Sequence, residues 1–278
     1  MDHSLLVRNK NLSFFQKEDG RVLVFNHDDA KSYILSYDAC QLLWRLDGTS
    51  SLQDIYNDFT PLPETEIDQT IAMFEKIGLI GGEHEKKKRF VLWKEPENII
   101  IIKNKNIRSA VRGLLLASPF LFLTELFYLW SLHLKLSVNI DKPFLALAVI
   151  VLIISTFVHE MAHAVFAKSY NANIGEIALI FEAAFPHMRI YTNICGFSYI
   201  TKTSQKIKMH LAGILAQIFL MALSILMIGC PVAAVSRAGI CVFLVNGLCV
   251  VVDSIPFRTS DGSRVLQTIR DRNKTAEG

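Results

Sequence analysis

Four apolar runs, about Ala110–His133, Phe144–Phe166, Ile207–Ile228 and Ala233–Val252, each approach the roughly 20 residues that a helix needs to cross a bilayer. Hydrocarbon offers no water to a backbone N–H or C=O, so runs of this kind must satisfy their own polar groups as helices. The fold class that follows is mainly α, a polytopic membrane helix bundle of about four spans. Gly229-Cys230-Pro231 divides the third run from the fourth, which predicts a tight helical hairpin.

The apolar excess is uneven. Hydrophobic residues make up 51% of the chain and the mean hydropathy is +0.32, yet residues 1–85 read as an ordinary globular sequence. Charge divides at the same place. Residues 1–85 carry seven Lys+Arg against fifteen Asp+Glu, a net −8, while 86–278 carry twenty-two against eleven, a net +11. An acidic first domain is a poor nucleic-acid binder, because neutralising phosphates supplies most of that affinity. The downstream basic residues suit loops that face an anionic leaflet.

Those basic residues also orient the bundle. Lys86, Lys87, Lys88, Arg89, Lys94, Lys103, Lys105 and Arg108 precede the first run; Lys168, Arg189, Lys202 and Lys206 lie between the second and third; Arg258, Arg264, Arg270, Arg272 and Lys274 follow the fourth. The opposite loops hold only Lys135, Lys142 and Arg237. The positive-inside rule therefore predicts a multi-pass protein of the cell membrane with both termini in the cytoplasm. Met1 to Lys10 lacks the apolar core of a signal peptide, which agrees. Cys40, Cys195, Cys230, Cys241 and Cys249 are widely spaced, without a C-x-x-C pair, and read as small buried hydrophobes.

Near the end of the second run stands His159-Glu160-Met161-Ala162-His163. On a helix, histidines four apart project from one face, one turn above each other, so two imidazoles can share a Zn²⁺ while the glutamate between them serves as general base. Surface histidines with a solvated glutamate explain the same pattern in a soluble helix. Inside an apolar run that explanation weakens, because ionisable groups there are costly to desolvate and are functional candidates by default.

The orientation constrains the third ligand. The second and fourth runs both travel from outside to inside, so the segment Asp253 to Gly262 arrives at the depth of the two histidines. Asp261 is the preferred ligand, with Pro256 ending or interrupting the helix and Gly262 permitting a sharp turn; an Asx-type turn in a cytoplasmic tail is the alternative role for Asp261. Glu182, nineteen residues beyond His163, is the second candidate, and His187, His210 and Asp253 are also available.

Phe157 to Ala164 with its H-E-x-x-H, Lys206 to Gln217 with Leu211-Ala212-Gly213, and Asp253 to Gly262 together resemble the site-2 protease family of intramembrane zinc metalloproteases. The resemblance covers about residues 110–270. It implies His159, His163 and Asp261 as zinc ligands and Glu160 as the catalytic base. Where that family often places asparagine at the head of its last motif this chain has Asp253, and Thr259 and Ser260 stand where proline and leucine are common. Substrate binding by the head residue is thereby put in question, with Asn246 as a possible substitute and a helix-packing asparagine as its alternative role. The segment Ile174 to Ile200 holds two strand-like stretches; it either offers an edge to an extended substrate or serves as a membrane-dipping structural hairpin.

The first 85 residues predict three short strands, Leu12–Gln16, Arg21–Phe25 and Ser32–Leu35, the first two joined at Asp19-Gly20. Three helices follow, one capped by Asp38 over Ala39–Leu46, one opened by Ser51 with Asp54, and one opened by Thr65 with Asp68 and carrying Ile67, Ile71, Phe74 and Ile77. This is a small α+β, winged-helix-like domain. Phe25-Asn26, Tyr33-Ile34-Leu35, Leu46-Asp47-Gly48 and Ile77-Gly78-Leu79-Ile80 resemble the PqqD-like recognition element of pathways for ribosomally made, modified peptides. Such domains add a leader peptide to the edge of their third strand. The resemblance points to a groove involving Lys31, Ser32, Tyr33, Ile34 and Leu35 on the strand and Ile67, Ile71 and Phe74 on the third helix.

The expected organisation is a recognition domain (1–85), a basic juxtamembrane linker (86–109), a metalloprotease domain (110–270) and a cytoplasmic tail (271–278). Together the parts resemble the YydH-like peptide zinc metalloproteases of epipeptide clusters. That implies capture of a peptide precursor by its leader, hydrolytic removal of the leader, and delivery to a peptide exporter. Cleavage of a membrane-bound regulator such as an anti-sigma factor is the alternative enzymatic reading, and a non-catalytic immunity or export adaptor is the alternative without chemistry.

Overall fold

The computed structural model describes residues 6–81, 89–131, 140–182, 187–256 and 260–277. The chain divides into two compact units, one running to Lys94 and including Ala178–Met188, the other formed by Glu95–Ile177 and Arg189 onward. The division at Lys94 falls inside the basic stretch expected to be a linker.

In the first unit, β1 (Leu12–Gln16), β2 (Val22–Asn26) and β3 (Lys31–Leu35) form an antiparallel sheet in that order, with Phe14 opposite Val24 and Val24 opposite Tyr33. Gly20, at φ +79°, turns β1 into β2, a backbone that glycine adopts without steric penalty. All five residues of β2 are buried, as befits the central strand. Helices α1 (Tyr37–Arg45), α2 (Leu52–Asp58) and α3 (Glu64–Lys76) follow.

The capping box on α2 is as expected: the Ser51 hydroxyl accepts from the Asp54 amide, and the Asp54 carboxylate accepts from the Ser51 amide. The other two starts differ from the expectation. The cap of α1 is Ser36, whose hydroxyl accepts from Ala39 N, and Asp38 lies in the first turn. Helix α3 begins directly after Pro63 with no side-chain cap, so Thr65 is already helical; proline's fixed φ sets that start without a capping oxygen.

Val22, Val24, Leu43, Ile55, Ile67, Ile71, Phe74 and Ile80 share one core. Asn26 is buried within it and donates to the Gly78 carbonyl at 3.1 Å, tying β2 to the end of α3. Phe74 is fully enclosed. Phe74→Ala is expected to cost this unit about 3–5 kcal/mol, read as a lowered midpoint in denaturant unfolding of the full chain.

Next come β4 (Arg89–Trp93) and the single-turn helix α4 (Ile100–Lys103). The second unit is built on α5 (Lys105–Ser131), α6 (Lys142–Ser169), α7 (Thr203–Ile228), α8 (Ala233–Ser254) and α9 (Asp261–Glu277). Between α6 and α7 lie β5 (Asn173–Glu182) and β6 (His187–Cys195), in a sheet of order β4-β5-β6. Helices α5 to α8 are long and apolar enough to cross a membrane, and each begins at or before the residue where its apolar run does. Helix α9 continues through the boundary drawn at 270 and 271.

Helix α7 is the axis of the bundle: 56% of its most apolar stretch is buried within the protein, against 11–28% for the other three. The α7–α8 hairpin closes through backbone proximity. A Cβ on Gly239 would lie 2.8 Å from Met227 Cβ and from the Ser224 carbonyl, the close approach that small residues allow between membrane helices. Helix α6 changes character along its length. Ile153 and Ile154 are more than half exposed, whereas Ala162 and the residues from Ala164 to Ala167 are buried in the core formed with α5 and α7. This buried end of α6 encloses the histidine pair.

Candidate metal centre

His159 and His163 are one turn apart on the buried end of α6, and both rings face the start of α9. The route from α8 to that point is set locally. Helix α8 ends at Ser254, ahead of Pro256, whose ring excludes continuation. Ser260 acts as the cap of α9: its hydroxyl accepts from Ser263 N at 3.2 Å and its carbonyl from Arg264 N at 3.3 Å. The residue that departs from the family pattern thus has a capping role here. Gly262 lets the restart press against α8, for a Cβ there would come 2.4 Å from the Ser254 carbonyl. Asp261 is delivered into the first turn of a helix, and the Asx-type turn in a tail is not what forms.

His163 Nε2 lies 3.1 Å from His159 Nε2 and 3.0 Å from Asp261 Oδ2, and His159 Nε2 lies 3.1 Å from the same oxygen. All three side chains are at least nine-tenths buried. Three donor atoms at the corners of a nearly equilateral triangle fit one small ion. Two nitrogens and one oxygen, with no sulfur, are donor atoms that could hold a metal ion. Among the described residues this is the one His/Cys/Asp/Glu group with such convergence.

The surroundings fix the ligands. The His163 Nδ1–H donates to the Met209 carbonyl at 2.8 Å, which leaves the Nε2 lone pair facing Asp261 and His159. Gly213 of α7 forms the wall behind His159; a Cβ there would be 2.3 Å from Cε1 and Nε2 and 2.5 Å from Nδ1 of the ring. Glu160 is buried beside the pair, and one of its carboxylate oxygens accepts from the Thr192 amide of β6 at 2.7 Å. The Thr192 hydroxyl donates to the Glu160 carbonyl at 2.9 Å, so the hairpin strand is fastened to the candidate base twice.

Other expected site residues fall elsewhere. His210 packs against the Phe197 ring with centroids 5.5 Å apart and is not part of the cluster. The side chains of Glu182 and His187 lie outside the described residues. Asp253 is beside His159, its Oδ2 3.5 Å from Nδ1. Asn246 is buried in the bundle, its amide donating to the Val242 carbonyl of its own helix at 2.9 Å. On β3, Lys31, Ser32 and Ile34 are exposed and Tyr33 and Leu35 turn inward. Ile67, Ile71 and Phe74 belong to the core of the first unit, so their apolar surface is largely spent within the fold.

Reasoning from sequence missed Thr192, Met209 and Gln217. Gln217 had a signal, since a polar side chain within an apolar span calls for a partner. Thr192 and Met209 contribute backbone groups, and no residue type encodes those. No family model, curated protein or solved structure matches the chain.

Proposed function

We propose that the chain is an intramembrane zinc metallopeptidase that captures a ribosomally made, modified peptide precursor and removes its leader before export. One observation carries the reading: two histidines one turn apart on the membrane-length helix α6 and a distant aspartate at the start of α9 converge in a buried position, with Glu160 between the histidines. His159, His163 and Asp261 would hold a zinc ion, which when bound would supply Lewis acidity toward the scissile carbonyl and bring the acidity of water close to neutrality. Glu160 takes the proton from the attacking water and gives it to the leaving amine nitrogen. The Thr192 amide keeps that carboxylate aimed. The buried walls of α6 and α7 keep bulk water and lipid away from the reacting carbonyl.

The first unit is the precursor-binding part, a winged-helix-like domain of PqqD type. Supporting this, β3 is an edge of its sheet, with Lys31, Ser32 and Ile34 exposed, and a strand edge binds an extended peptide through its free backbone groups. Close to the end of β3, a cavity of about 150 Å³ lies among Ser36, Leu42, Phe59, Leu62 and Ile67, with Asp38 and Glu66 at its sides. An apolar socket with an acidic margin suits a leader that alternates apolar and basic residues. Both termini face the cytoplasm, where the precursor is made.

Incubating the purified full chain with a synthetic precursor peptide whose leader alternates apolar and basic residues, with and without added zinc, tests the function. A single zinc-dependent scission is expected; an intact peptide in both arms overturns the reading. Asp261→Ala is expected to lower zinc content well below one ion per chain, measured by elemental analysis after dialysis; full retention transfers the third-ligand role to another residue. Removal of residues 1–94 is expected to weaken precursor binding, followed by fluorescence anisotropy of a labelled leader, while zinc content stays unchanged. Unaltered leader affinity would remove the recognition role from the first unit.

A further inference from the structure

We propose that Asp253 is a positioning residue for His159, holding the ring so that Nε2 faces the metal, and that Gln217 holds Asp253 in place. The inference rests on the zinc reading above. It starts from a buried atom: His159 Nδ1 has no hydrogen-bond partner among the described residues. A histidine that coordinates through Nε2 carries its proton on Nδ1, and such a buried N–H calls for an acceptor. The Asp253 carboxylate is 3.5 Å away, within a small ring rotation of hydrogen-bond distance.

Asp253 does not stand there freely. The Gln217 amide of α7 donates to the same Oδ2 at 3.1 Å, and Gln217 is itself buried. A glutamine in the middle of a membrane-length helix needs a reason, and fixing this carboxylate supplies one. Three helices therefore contribute to one chain of contacts, Gln217 on α7 to Asp253 on α8 to His159 on α6. It parallels the contact on the other ligand, where the Met209 carbonyl receives the His163 Nδ1–H. Each histidine thus has its own outer acceptor, one a carbonyl and one a carboxylate. A carboxylate also raises the basicity of the imidazole it contacts, so His159 becomes the stronger donor to the metal. An aspartate at the head of the last motif is accordingly directed at a ligand rather than at substrate.

The test measures zinc affinity of the full chain in detergent, by competition with a chromogenic chelator, and so needs no substrate. Asp253→Asn keeps an acceptor oxygen of the same reach, whereas Asp253→Leu keeps the volume without one. The wild type is expected to bind one zinc; Asp253→Leu and Gln217→Leu weaken it about 10–100-fold, and Asp253→Asn recovers most of the loss. Circular dichroism identifies a variant that fails to fold, and the comparison of Asn with Leu then decides. Equal affinities for the wild type, Asn and Leu variants overturn the proposal, and so do equal losses for Asn and Leu. A wild type that binds no zinc overturns the metallopeptidase reading itself, a result distinct from either.

Discussion

Glu160→Gln is expected to leave zinc content and leader affinity unchanged while slowing cleavage by about 10²–10⁴-fold, the usual contribution of a positioned general base. The amide is nearly isosteric with the carboxylate, so the packing around a residue that is only 8% exposed is preserved. Its single oxygen can still accept from the Thr192 amide, as Glu160 does at 2.7 Å. What the amide lacks is the capacity to receive a proton from water. Comparing single-turnover cleavage with zinc content on the same preparation separates chemistry from assembly. Processing at the wild-type rate would sink the protease reading, and loss of both zinc and cleavage would instead make Glu160 a structural support for its neighbours.

Much of the arrangement was legible because hydrocarbon leaves so few options. The four apolar runs fixed four helices within a few residues, and the spacing of His159 and His163 placed both on one face. Asp261 was reachable by charge topology, which assigned the end of the fourth helix to the same depth as the histidines; its ring partners now lie 3.0 and 3.1 Å from its carboxylate. Starts of helices were less legible. Ser36 and Asp38 both look like caps in sequence, and only backbone geometry decides for Ser36. The carbonyl of Met209 and the amide of Thr192 were invisible in principle, since every residue carries such groups. In the first unit α3 carries the expected apolar stripe, and its Ile67, Ile71 and Phe74 lie in the core, with Ile67 also at the wall of the cavity near β3. A unit of this size has too little interior to leave a whole helix face unspent.

Gly213→Ala separates the close approach of α7 to the histidine from generic helix packing, because two opposing effects have very different sizes. Replacing glycine by alanine within a helix favours the helix by about 0.5–1 kcal/mol through backbone entropy and propensity. Against this, the new methyl would meet three atoms of the His159 ring at 2.3–2.5 Å, more than 1 Å inside ordinary carbon contact of about 3.5–4.0 Å. The ring must swing away or the helices must part, and either movement exceeds the tolerance of a metal–nitrogen bond of about 2.0–2.1 Å. The expected result is a chain that folds and inserts but has lost its zinc and its cleavage together. Gly247→Ala provides the matched control on α8, for its Cβ would meet only Met221 Cε, at an ordinary 3.6 Å, so zinc content and thermal stability should hold or rise slightly. Zinc retention by Gly213→Ala equal to that of Gly247→Ala would mean that His159 can coordinate from another orientation, and that the wall behind it does not set the geometry of the site.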